Sequence, residues 1–269
     1  MVVKKVVKKG SKDLYIKEIY YFLKMVSFKE LVERIKDYYR FSKQEVSGLV
    51  VAIIVTGFLF SFRDWGVEEF NLIFGLKNFL LAIIVAAISF WFKISCQKVY
   101  GLGEGQDAEF KTWWVGIVVM LVLGFITSGW VPLILAGGVV SSFMVRQRLG
   151  EFRYGFSTWT MAITAMWAIL GNLILAIIFS IGLHFFPQSY FLDVGMKMNL
   201  MMAFCSWLPF PQQDGLALFF GSRGLFFLGI GATLLAAVLL LTKTTIGLIV
   251  AIVIGTLISI GYMMVGSEK

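Results

Sequence analysis

Residues 199–215 read NLMMAFCSWLPFPQQDG. The run is largely apolar as far as Leu208, then carries Pro209 and Pro211, and ends in Asp214-Gly215. A second apolar run, 216–220, follows at once. An unbroken transmembrane helix does not account for this pattern. Proline removes a backbone donor, and its ring clashes with the preceding turn. A carboxylate at membrane depth is costly and turns toward a protein interior or a wet cavity. The stretch therefore predicts a broken membrane segment with an acid directed into a bundle.

The remaining composition agrees. Of 269 residues, 59% are hydrophobic and only 15% charged, against about 25% charged in a soluble domain. The chain reads as an integral membrane protein, expected in the cell membrane. The two cysteines, Cys96 and Cys205, sit in apolar runs and read as small buried hydrophobes. The first dozen residues are basic but no apolar h-region follows, so no signal peptide is expected. Twelve of the 24 Lys and Arg precede Val46. The positive-inside bias, with attraction to anionic lipid, explains this arm and puts the N-terminus in the cytoplasm. A nucleic-acid partner is not expected.

Three regions follow: a basic amphipathic arm over 1–45, a transmembrane bundle over 46–265, and a tail over 266–269. Within the arm, apolar residues of 15–39 fall at roughly helical spacing, which suggests one or two amphipathic helices on the membrane surface. Ser42 and Glu45 form a capping-box pattern ahead of the first span. Spans are expected at 46–62, 76–98, 112–129, 159–186, through the quoted stretch, at 225–241 and at 245–265. A bilayer core takes about 20 apolar residues of helix. Lys93 lies near the cytoplasmic end of the second span, where a lysine can snorkel. Residues 100–111 read as a polar, Gly-rich loop. Residues 130–145, with Pro132 and Gly137-Gly138, are too broken for a helix and read as re-entrant or extended backbone. Asn172, mid-span, calls for a partner on a neighbouring helix. His184, the single histidine, reads as a structural residue near the outer interface.

These pieces together resemble the site-2 protease family of intramembrane zinc metalloproteases, in particular its archaeal branch. The resemblance covers about 41–227. It is carried by the opening of the first span, by the segment from Lys98 ending Ala108-Glu109-Phe110, and by Pro132 to Val140. Pro209, Pro211, Asp214 and Gly215 match the signature Asn-x-x-Pro-x-Pro-x-x-Asp-Gly. It implies an all-α polytopic bundle of about 6–7 transmembrane helices with a short membrane-embedded extended segment. It also implies that Asp214 stands where the family has its third zinc ligand, and that Asn172 fits the family pattern.

The family's His-Glu-x-x-His motif places two imidazoles one helical turn apart, with a glutamate as general base. Here that motif is degenerate. Without a gap its positions are Lys93, Ile94, Ser95, Cys96 and Gln97; with a four-residue insertion they are Ser89 to Lys93. Neither register contains histidine or glutamate. The signature's leading asparagine is Ser206. A Lys93–Asp214 ion pair in place of the metal is one expectation. The favoured reading is a catalytically inactive, site-2 protease-like protein without a cofactor, which binds or regulates membrane segments or partner proteins in the lipid bilayer. Alternatives are an active metalloprotease with unusual zinc ligands, a small transporter, or a structural subunit of a larger membrane complex.

Overall fold

The structure, a computed structural model, describes residues 28–66, 70–143, 158–251 and 253–254. The first part of the arm, residues 144–157, the end of the last span and the 266–269 tail lie outside the described residues.

The elements run α1 (Phe28–Tyr38), α2 (Lys43–Ser61), α3 (Leu72–Gly103), β1 (Gln106–Thr112), α4 (Trp114–Ile126), β2 (Gly137–Phe143), α5 (Thr158–Phe185), α6 (Tyr190–Cys205), α7 (Asp214–Gly221) and α8 (Arg223–Leu241). Among the described residues, α2, α3, α5 and α8 are long and apolar enough to cross a membrane. At 13 residues α4 is shorter. Residues 245–251 are helical.

The capping box forms at the start of α2: Glu45 N–H donates to Ser42 Oγ at 3.2 Å, and Ser42 N–H to Glu45 Oε2 at 2.8 Å. It halts the chain after α1 and sets the entry angle of the first long helix.

The bundle is apolar on both sides. On α3, Leu80, Ile84 and Ile88 recur every fourth residue and are exposed. Between them Ala82, Val85, Ala86 and Phe90 are buried against Ala52 of α2 and Val194, Met198 and Met202 of α6. Small residues face inward and let the helices approach closely, while larger ones face out, as membrane packing favours. Other clusters join α5 to α6 and α8, and α5 to α7 and α8.

Two expectations change here. Residues 100–111 are not a loop: α3 continues to Gly103, and Gln106–Thr112 is a strand. Its side chains alternate, with Gln106, Ala108 and Phe110 buried, and it pairs antiparallel with β2, Phe110 opposite Val139. Of the glycines that suggested a loop, Gly101 and Gly103 lie in α3, and Gly105 makes the turn at φ +74°. The extended reading of 130–145 holds for 137–143. The second change concerns the span expected at 112–129, of which only Trp114–Ile126 is helical. The quoted stretch breaks as its prolines predict. It is two short helices, α6 and α7, joined by a non-helical link over 206–213. The prolines deny this link two N–H donors, and Gln212 turns it in the left-handed region at φ +61°.

Candidate functional site

The link positions Asp214. After α6 the chain folds back, and Gly215 sits so close to the Trp207 carbonyl that no Cβ would fit. This places the Asp214 carboxylate against the middle of the bundle, where 2% of the residue is exposed.

Two residues of α3, one helical turn apart, meet it. The Lys93 ammonium lies 2.8 Å from Asp214 Oδ2. The Gln97 Nε2 amide donates to Asp214 Oδ1 at 2.9 Å. Lys93 also donates to Ser206 Oγ at 2.9 Å, and Val139 N–H of β2 donates to Oδ1 at 3.4 Å. Lys93, Gln97, Ser206 and Asp214 are all buried. Lys93 therefore does not snorkel: a carboxylate in the interior holds its charge there. Ile94 points into the core and is fully buried. Pro209 and Pro211 lie in the link and Gly215 at its close approach, so these three residues place Asp214.

Asn172 departs from expectation. It is fully buried on α5, yet neither amide atom has a hydrogen-bond partner among the described residues. The Gln97 Oε1 and Gln213 Nε2 atoms are likewise buried and unpartnered. Buried amides without partners are uncommon and costly. His184 ends α5 at an exposed position far along the helix from Asn172.

A second buried charge pair escaped the sequence reading. Lys98 lies 3.0 Å from Glu45 Oε1 and also donates to the Arg40 carbonyl at 3.0 Å. Glu45 Oε1 accepts from Phe110 N–H at 2.7 Å. Phe110 and Val139 face each other across the sheet. Their N–H groups point outward to opposite edges, one onto Glu45 and one onto Asp214. One rung of the sheet is thus clamped at both edges by carboxylates, each neutralised by a lysine of α3. The available signal was a lone acid in a capping box and a lysine five residues after Lys93. Five residues of helix are roughly 7 Å, so the two pairs are neighbouring layers of one polar core.

The chain is 24% identical over 183 residues to a curated protein of Methanocaldococcus jannaschii named "Putative zinc metalloprotease MJ0611". It has a metalloprotease-like relative. The similarity covers 66% of this chain and 84% of the relative. No protein-family model matches the chain, and no solved structure matches it.

Proposed function

We propose that this chain is a site-2 protease-like membrane protein that does not cleave peptides and instead binds or shields membrane segments of partner proteins. The observation that carries the reading is the convergence of Lys93 and Gln97 on one carboxylate, Asp214. In the ungapped register these two residues stand at the paired histidine positions, and Ile94 stands at the general base. That register is supported because two side chains one turn apart reach the residue at the third-ligand position, as ligands of one ion would. Under the gapped register Ser89 would hold a ligand position, but its hydroxyl accepts from Asn199 instead, at 2.9 Å.

The donor set does not fit zinc. Zinc takes lone pairs from imidazole, thiolate or carboxylate. An ammonium held against a carboxylate has none to give, and Gln97 has only a neutral amide oxygen. Isoleucine cannot take a proton from water. Lys93 instead supplies from within the chain the positive charge that Asp214 would otherwise meet in a metal. The partner-binding half of the reading draws on β2. Val139 uses its outward N–H on Asp214, while Ser141, two residues on, turns its main chain to the same edge by antiparallel alternation. An extended segment can add to such an edge.

Metal analysis of the purified chain tests this. The expected result is no stoichiometric zinc, and no cleavage of model transmembrane substrates. The triple variant Lys93→His/Ile94→Glu/Gln97→His is expected to take up about one zinc per chain, since it restores three donors around one point. Stoichiometric zinc in the natural chain, lost on Asp214→Ala, would establish instead the metalloprotease reading that the relative's name favours.

A further inference from the structure

A separate polar feature lies at the opposite end of the bundle from Glu45 and Lys98, where α5 and α8 end and α6 begins. A cleft of about 130 Å³ opens there, lined by Ser180, His184, Lys243 and Thr244 over a floor that includes Leu183 and Leu248. It is independent of Asp214 and of the function proposed above.

Three observations give it chemistry. First, Lys243 brings to its edge a cluster of net positive charge. Lys243 donates to Asp193 Oδ1 at 2.6 Å, and Lys197 donates to Asp193 Oδ2 at 2.7 Å. Two ammonium groups share one carboxylate, and each keeps N–H donors to spare. Second, Ser180 is 7% exposed and lines the cleft, so its hydroxyl can donate to an acceptor held there. Third, Lys243 follows α8 with φ +53°. That left-handed position after a helix is glycine's by default. A lysine there bears backbone strain, and its charged side chain lines the cleft.

The surroundings say what the acceptor is attached to. Phe185, Phe186 and Ile246 are 71%, 68% and 76% exposed around this end. Large bare apolar groups beside a cationic notch at the end of apolar helices mark the boundary between acyl chains and headgroups. The cleft is far below the roughly 300–1,000 Å³ of pockets that enclose drug-sized ligands. It suits one tetrahedral anion whose remaining bulk lies outside.

We propose that this cleft binds a phosphate group, carried on a membrane lipid headgroup. Lys243 supplies the charge, and the Ser180 hydroxyl and His184 imidazole donate to phosphate oxygens. Thr244 is not counted among the donors: its Oγ1 accepts from Gly247 N–H at 3.1 Å and shares a hydrogen bond with Thr242 Oγ1 at 3.2 Å. The acyl chains lie along Phe185, Phe186 and Leu248.

The test is thermal unfolding of the full chain in a neutral detergent, with three probes: phosphatidylglycerol, diacylglycerol of the same chains, and inorganic phosphate. Phosphatidylglycerol is expected to raise the midpoint, and the other two to raise it much less. Lys243→Gly and Ser180→Ala are each expected to weaken the phosphatidylglycerol response at least about tenfold in concentration, the loss of one hydrogen bond to a charged group. Glycine suits the left-handed backbone, so Lys243→Gly is expected to retain its fold without lipid. Equal phosphatidylglycerol responses in the natural chain and both variants would overturn the site. An equal response to diacylglycerol would overturn the role of phosphate. A full response to inorganic phosphate alone would overturn the lipid as its source.

Discussion

At the scale of single residues, the centre of the molecule is a charge balance. Lys93 and Asp214 are each almost wholly enclosed, and each makes the other's burial tolerable. Removing one partner of such a pair leaves an uncompensated charge and costs about 3–5 kcal/mol. Lys93→Met is therefore expected to lower unfolding stability by that order. Adding Asp214→Asn should recover most of the loss, because the amide still accepts from Gln97 and Val139 but carries no charge. Chemical unfolding in detergent of the two single variants and the double variant measures this. A double variant no more stable than Lys93→Met would show that the pair is not coupled. The identity of these residues was legible in the sequence, and their pairing was one expectation that followed from the resemblance; hydropathy alone did not give it. An isolated lysine near the end of an apolar run looks the same whether it snorkels or turns inward, and an acid 121 positions later along the chain decides which.

At the scale of elements, β2 and the 206–213 link depend on each other. Gly138 passes so close to the link that a Cβ there would lie 2.8 Å from the Gln212 carbonyl oxygen. Gly138→Ala is expected to push β2 off the link, stretch the Val139–Asp214 contact, and cost about 1–3 kcal/mol, the usual penalty of overpacking. Unfolding measurements check the magnitude, and a cost under half a kcal/mol would mean that the link yields freely. The other edge of the rung makes a second prediction. Glu45→Gln keeps an acceptor for Phe110 N–H but strands the Lys98 ammonium. It is expected to destabilise more than Ser42→Ala, which removes only a cap, worth roughly 1 kcal/mol. Two long helices on either side of the sheet were legible from their apolar length. The strand at 106–112 was not, because four of the six residues before it, Gly101, Gly103, Glu104 and Gly105, are glycine or charged. Its alternation becomes meaningful only once β2 lies beside it.

At the scale of the whole molecule, the inside and outside of the bundle have nearly the same polarity. Leu80, Ile84 and Ile88 are exposed on α3, and by this reading they meet acyl chains. Ile84→Arg is therefore expected to weaken membrane insertion of α3 by about 2.5–3.5 kcal/mol. A translocon insertion assay reads this directly, and unchanged insertion would mean that this face is covered by protein or water. The helices associate through small residues at close contacts, Gly48, Ala52 and Gly57 on α2 against α3, β1 and their neighbours, and through the two buried charge pairs. Neither device needs a large apolar area to be withdrawn from water, which is not available as a driving force within lipid.

The sequence by itself showed a chain rich in long apolar spans, placed its long helices approximately, read 130–145 as re-entrant or extended, and broke 199–215 around two prolines. These follow from local chemistry: apolar length, a capping box, glycine pairs and missing N–H donors. It also offered Lys93, Ile94 and Gln97 as candidate positions. Only the tertiary structure decided that Lys93 and Gln97 converge on Asp214, that Glu45 and Lys98 form a second pair, that Asn172 is buried without a partner, and that a cationic cleft opens at Lys243. The physical reason is range. Helix breaking and hydropathy are properties of neighbouring residues, whereas the fate of a buried charge depends on which distant group the fold brings within 3 Å of it.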